Sequence, residues 1–263
     1  MKFSRAITRV PGSNYKDGLT TVDLGIPDFE KTVLEHAGYM QILKDCGLEL
    51  IELPADLRYP DSTFVEDTAV LLSSASRGGP AALLSRPGAL SRAGEVQAIK
   101  PVVQQFFKEI VEIAAPGTLD GGDICEAENH FIIGISLRTN ENGARQLSDW
   151  LIAKGYKTSF VDIRSTSGIL HLKSGISYIG DNRMLVIDSL ASHPALQDFE
   201  LIHMQSGEEY AANCIRVNDR ILIADGYPHL EQDLLRFGYQ VIKLDMSEFQ
   251  KMDGGLSCLS LRF

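Results

Sequence analysis

The chain has 263 residues, 44% of them hydrophobic and 23% charged, the balance of an ordinary water-soluble globular protein. A formal net charge of -10 argues against non-specific binding to nucleic acid or to an anionic membrane surface. Cys46, Cys125, Cys214 and Cys258 are scattered and show no CxxC spacing for zinc or dithiol chemistry, which fits a reducing compartment. With no signal-like apolar run and nothing near the ~20 apolar residues that span a bilayer, the expected location is cytoplasmic.

In chain order, Phe3 to Val10 reads as a strand ending at Pro11-Gly12, and residues 14–26 form a polar, glycine-bearing loop. A helix follows from Asp28, a candidate N-cap, with Val33, Leu34, Ala37, Met40 and Leu43 at helical spacing and Cys46-Gly47 at its end. Glu49–Leu53 is a strand, and Asp61, Glu66 and Asp67 crowd the entrance of an apolar strand that runs to Leu72. Carboxylates there are costly unless something cationic meets them. Ala81–Leu84 and then Arg86 lead to a helix and a short strand between Gly94 and Ile113. Asp120-Gly121-Gly122-Asp123 opens a hairpin that turns at Asn129-His130, and a helix over 142–153 points Leu147, Trp150 and Leu151 inward. Further hairpins turn at Gly180-Asp181-Asn182 and Asn218-Asp219, and a helix from His229 precedes the strand Gln240–Leu244. Last comes Asp253-Gly254-Gly255-Leu256-Ser257-Cys258, where two glycines allow a sharp, positive-φ turn into a short strand headed by the cysteine.

A unit of hairpin, helix and strand therefore recurs every 40 to 56 residues, beginning near Asp67, Asp123, Lys173, Asn213 and Ser257. Five units whose last is completed by the N-terminal strand would close a ring, and the helices exclude an all-β propeller. The expected fold is a five-bladed α/β propeller, with residues 1–263 forming one domain. In such a ring, equivalent positions at the strand starts meet at one end of the channel. Asp61, Glu66, Asp67, Asp120, Asp123, His171, Asp253 and Cys258 would then share a pocket. A Cys beside a His can serve as nucleophile and acid/base pair, oriented by a carboxylate. The surplus carboxylates suit a guanidinium, and Arg86 and Arg138 could hold a carboxylate, so an amino acid with a guanidinium side chain fits both halves.

Phe64-Val65-Glu66-Asp67, Leu119-Asp120-Gly121-Gly122-Asp123, Ser136-Leu137-Arg138-Thr139-Asn140, His171-Leu172-Lys173 and Asp253 through Cys258 together resemble the dimethylarginine dimethylaminohydrolases of the pentein, or amidinotransferase, superfamily. The resemblance runs from Phe3 to Phe263, with the motifs in order and at similar spacing. It implies a five-bladed α/β propeller that hydrolyses Nω-methylated arginines to citrulline and a methylamine. Cys258 would be the nucleophile that forms a covalent thiouronium, His171 the acid and then the base, and Asp120 the residue that orients it. Asp67 would hold the guanidinium; Asp61 and the backbone of Leu19 and Met252 would contact polar substrate groups; Arg86 and Arg138 would bind the carboxylate. Glu66 and Asp253 would lie near the substrate, and the Gly18-Leu19 loop would be a lid that excludes water. No cofactor or metal is implied, and a homodimer is the expected assembly.

Arginine deiminases carry His-x-Asp where this chain has His171-Leu172-Lys173, and losing that second carboxylate leaves room for N-methyl groups. The competing readings are a deiminase or another guanidine-modifying pentein, and a non-catalytic propeller that only binds. The remaining cysteines read as structural, His36, His130, His193, His203 and His229 as non-catalytic, Asp123 as a turn-former and Arg92 as a solvated charge.

Overall fold

A computed structural model describes residues 2–73 and 79–263. Its strands form five three-stranded sheets with one shared plan: an inner hairpin, then a third strand added in parallel. In the second sheet, β3 (Ala69–Leu72) pairs antiparallel with β4 (Ala81–Leu84), and β5 (Glu109–Glu112) returns parallel to β4 after helix α2 (Glu95–Phe106). The third repeats this with β6 (Ile124–Ala127), β7 (His130–Ile135), α3 (Glu141–Ala153) and β8 (Lys157–Asp162). The fourth uses β9 (Ile176–Gly180), β10 (Arg183–Val186), the short α4 (Asp188–Ala191) and β11 (Glu200–His203). The fifth uses β12 (Ile215–Val217), β13 (Arg220–Ala224), α5 (Pro228–Arg236) and β14 (Gln240–Leu244).

The first sheet closes the ring with both chain ends. β1 (Arg5–Arg9) lies parallel to β2 (Glu49–Leu53), across helix α1 (Phe29–Asp45), and antiparallel to β15 (Leu261–Arg262), which follows the short α6 (Ser247–Gln250). The five-bladed α/β propeller expected from the repeats is the observed architecture. In the second sheet the inner strands Ala69–Leu72 and Ala81–Leu84 are wholly apolar and buried, while outer strands such as Glu49–Leu53 keep their glutamates in water. No helix among the described residues is long and apolar enough to cross a membrane.

Two expectations shift. On α1, Asp28 caps the helix as anticipated, accepting a hydrogen bond from the Lys31 N–H at 3.0 Å. Its buried face, however, is Thr32, Glu35, His36, Tyr39 and Leu43, with Leu34 left 71% exposed. Two polar groups on that face are partnered, Tyr39 Oη meeting Ser260 Oγ at 2.6 Å and the Glu35 carboxylate accepting from the Glu248 N–H and the Ser247 hydroxyl, while His36 Nε2 is buried without a partner among the described residues.

The second shift concerns where inner strands begin. Four are preceded directly or within three residues by a single 3-10 turn: Val65–Thr68, Gly121–Asp123, Leu172–Ser174 and Glu209–Ala212; Ser257–Leu259 does the same for β15. Cys258 therefore sits in a turn, not at the head of a strand. Where the blades converge, no neighbouring strand is placed to take these N–H groups, and local carbonyls do so instead: Asp123 to Asp120, Ser174 to His171, Cys258 to Gly255. The turns pack side by side at one end of the ring.

Candidate active site

Those turns bring the reactive side chains together. Cys258 from the Ser257–Leu259 turn, His171 at the start of the Leu172–Ser174 turn, and Asp67 from the Val65–Thr68 turn line one pocket, joined by Asp61 and Arg138. Leu19, Met252 and Asp253 complete it from two loops. Asp120 stands behind His171, fully buried, with Oδ2 3.1 Å from the His171 Nε2. Its Oδ1 accepts from the Gly88 N–H at 2.8 Å, so both oxygens are fixed and with them the imidazole. Gly122 is required by contact: a Cβ there would lie 2.8 Å from the His171 Cγ.

Asp67 is held as tightly. Its Oδ1 accepts from the Gly122 N–H at 2.8 Å and its Oδ2 from Arg92 Nη1 at 2.5 Å. Burial opposes its ionisation, but the charges of His171 and Arg92 win and bring it down to about 2. Burial by itself would lower His171, yet Asp67, Asp123 and Asp120 surround it and raise it to about 9, so the imidazole is a cation at neutral pH. The Cys258 thiol is pushed up to about 12 by burial and by the negative charges of Glu66 and Asp67, with Lys173 opposing. The resting pair is thus a neutral thiol beside an imidazolium, groups chemically able to serve as nucleophile and general acid.

The loop after Gly18 is clasped to this pocket. The Leu19 N–H donates to Asp61 Oδ1 at 2.9 Å, Thr20 Oγ1 to the Lys251 carbonyl at 3.0 Å, and the Thr21 hydroxyl to Asp253 Oδ2 at 3.0 Å. Asp253, not either glycine, is the residue at positive φ (55°) in the final turn. Gly254 and Gly255 serve close approach instead: a Cβ would stand 2.5 Å from the Phe64 ring in one case and 2.5 Å from the Asn213 side chain in the other.

Most of the site residues anticipated from sequence meet here, and two point elsewhere. Glu66 turns away from the pocket into a second cavity of the channel, where its carboxylate takes Lys173 and the Ser257 hydroxyl. Arg86 spends Nη1 on the Gly117 carbonyl at 3.0 Å and does not line the pocket. Arg92 is corrected outright. It is 5% exposed, not solvated, and grips Asp67 and Glu95 through its guanidinium. Its partners lie 25 residues upstream and 3 residues downstream, and only the nearer was visible as a pattern. Asp123 also does more than form a turn, since it accepts from the Leu172 N–H and the Ser136 hydroxyl. Among the described residues, Asp67, Asp120 and His171 bring possible metal-ligand atoms within 4.8 Å of one another. Their carboxylate oxygens are already engaged by Arg92, His171 and backbone N–H groups, a donor set built for hydrogen bonding.

No family model matches the sequence. It is, however, 43% identical over 262 residues to the N(G),N(G)-dimethylarginine dimethylaminohydrolase of Pseudomonas aeruginosa, covering 99% of this chain and all of that one. The chain belongs to the dimethylarginine dimethylaminohydrolase family. The Streptomyces coelicolor enzyme of the same name is 31% identical over 265 residues, covering all of this chain and 98% of that one. A solved P. aeruginosa structure, of a Cys-to-Ser mutant complexed with citrulline, superposes with a TM-score of 0.93 at 42% identity over the full length of both chains. The amino-terminal domain of a cyanobacterial arginine dihydrolase shares the fold alone, with a TM-score of 0.85 at 18% identity over all of this chain and 97% of that one. Family membership makes the chain a hydrolase of the pentein superfamily, against the binding-only propeller weighed above.

Proposed function

We propose that the protein hydrolyses Nω-methylated arginines to citrulline and dimethylamine or methylamine, with Cys258 as nucleophile. One observation carries this: a cysteine and an imidazolium share a pocket with two carboxylates, Asp61 and Asp67, suited to a guanidinium. Asp67 is the stronger partner because Arg92 and the Gly122 N–H hold it ionised and aligned. A bound guanidinium places positive charge beside Cys258 and offsets the Glu66 and Asp67 charges that raise its thiol. Substrate binding therefore favours the thiolate.

As the guanidinium binds, the Cys258 thiol releases its proton to solvent, His171 being already protonated, and the thiolate attacks the guanidinium carbon, forming the C–S bond. His171 gives its proton to the methylated nitrogen, the C–N bond breaks, and the amine departs to leave an S-alkyl thiouronium. The now neutral His171, held by Asp120, takes a proton from water, which adds to the same carbon. The C–S bond then breaks, the hydroxyl proton of the adduct passes to the departing sulfur, and citrulline leaves with the Cys258 thiol and the His171 imidazolium restored. Lys173 is tied to Glu66 in the neighbouring cavity, so its place contributes no second carboxylate to the pocket. That leaves space, and no unpaired acceptor, for N-methyl groups.

Arg138 lines the pocket and suits the substrate carboxylate. Arg138→Ala is expected to raise KM about 10- to 100-fold with kcat within a few-fold, the pattern of lost uniform binding. Arg86→Ala should cost less, because its guanidinium is committed to Gly117. Since His171 must start protonated and gives up its proton near pH 9, kcat/KM is expected to fall as pH rises through about 9. A stopped assay across pH 6 to 10 reads this limb. The same reading extends to a cytoplasmic, cofactor-free enzyme in which residues 1–263 act as one catalytic domain and pair as a homodimer; the four free cysteines support the reducing location. The deciding assay supplies asymmetric dimethylarginine, monomethylarginine and arginine side by side and quantifies citrulline and amine. Methylated substrates should dominate; much faster turnover of arginine would overturn the Lys173 argument.

A further inference from the structure

Beside Cys258 lies a polar relay that joins side chains of the Val65–Thr68, Leu172–Ser174 and Ser257–Leu259 turns to Asn213. Asn213, just after the Glu209–Ala212 turn and 7% exposed, addresses Ser257 twice. Its Oδ1 accepts from the Ser257 N–H at 2.9 Å, and its Nδ2 donates to the Ser257 Oγ at 3.1 Å. The Ser257 hydroxyl proton goes to Glu66 Oε2 at 2.7 Å, and the other Glu66 oxygen takes Lys173. Gly121 packs against the Glu66 backbone, where a Cβ would meet the backbone carbonyl oxygen at 2.0 Å. Each donor in the relay has one acceptor, so the Asn213 amide can face only one way.

Ser257 precedes Cys258 in the same 3-10 turn, which has no side-chain cap of its own. The Cys258 N–H is held by the Gly255 carbonyl at 3.1 Å, and Gly255 in turn abuts Asn213 so closely that no side chain could stand between them. Asn213 does not line the pocket that holds Cys258 and His171.

We propose that Asn213 is a positioning residue for the nucleophile, setting through Ser257 the turn that aims Cys258 at the guanidinium carbon. This rests on Cys258 being the nucleophile. Attack needs the sulfur in near-contact and in line, and a displacement of about 1 Å can cost on the order of 10²-fold in rate. Asn213→Ala removes both contacts and should lower kcat about 10²-fold while KM stays within about threefold. Ser257→Ala keeps the N–H contact to Asn213 and should lose less. Asn213→Asp keeps the shape but aims a second carboxylate at a hydroxyl already given to Glu66, adding negative charge beside the thiol.

The test measures kcat and KM on asymmetric dimethylarginine for these three variants, normalised to Cys258 that iodoacetamide labels, and follows the labelling rate against pH. The expected result is a kcat loss in the order Asn213→Ala above Ser257→Ala, with the alkylation midpoint of Asn213→Asp moved to higher pH. Parental kcat per labelled thiol in all variants overturns the proposal, and so does a loss carried wholly by KM. Should Asn213→Ala fail to fold, Ser257→Ala and Asn213→Asp decide by the same criteria. If Cys258→Ser remained active, the nucleophile assignment would fail first; if it is dead while the other variants keep the parental kcat, only the positioning role falls.

Discussion

Replacing Cys258 with serine is expected to reduce citrulline formation by about 10⁴-fold or more, to the level of background hydrolysis. A hydroxyl placed in this pocket is a far weaker acid than a thiol. Burial with Glu66 and Asp67 already pushes the thiol up to about 12, and the same surroundings would hold an alkoxide out of reach. Substrate binding should survive, because Asp61 and Asp67, the proposed guanidinium partners, and Arg138, the proposed carboxylate partner, still line the pocket. The variant should therefore bind dimethylarginine in a calorimeter with an affinity close to the parental KM while forming no product. A serine variant that kept even a tenth of the parental kcat would show that the sulfur is not the attacking atom.

Asp67→Asn is expected to be the next most damaging change, lowering kcat/KM by roughly 10²- to 10³-fold, since truncating one partner of a buried charge pair costs about 2–5 kcal/mol. The residue does three jobs at once. It faces the guanidinium site, satisfies the Gly122 N–H, and neutralises Arg92, which is otherwise left to Glu95. It is also the foremost of the carboxylates that hold His171 up near 9. With that charge gone, the imidazolium loses its proton at lower pH, so the basic limb of kcat/KM should move down from about 9. A pH profile of the variant separates this from simple misfolding, which would lower the whole curve without moving its limb. An unmoved limb would mean that Asp120 and Asp123 alone set the His171 charge.

Three of the blades were legible from a local signal, a hairpin with Asn or Asp at its turn: Asn129, Asp181-Asn182 and Asn218-Asp219. Ring closure was legible too, since the last unit lacked strands that the N-terminus could supply, and β1 does pair with β15 and β2. What escaped were features set by long-range packing. Arg92 has the composition of a surface charge, and only Asp67, 25 residues away, explains its burial. The α1 face predicted from apolar spacing was rotated because Glu35 and Tyr39 find polar partners more than 200 residues on. Cys258 looked like a strand residue because its neighbours alternate, whereas crowding at the channel end imposes a turn. Glu66 and Arg86 lie on the right elements, but the direction of a side chain at a turn depends on partners such as Lys173 and the Gly117 carbonyl that no local pattern reveals. Asn213 was visible only as the start of a repeat, and its bond to Ser257 spans 44 residues.

Intact-mass analysis of enzyme quenched in acid during turnover of asymmetric dimethylarginine tests the central assignment most directly. A population heavier by the substrate less dimethylamine is predicted, localised to Cys258 by peptide mapping and absent from Cys258→Ser. Steady turnover with no such adduct at any quench time, or an adduct on Cys46, Cys125 or Cys214, would contradict it.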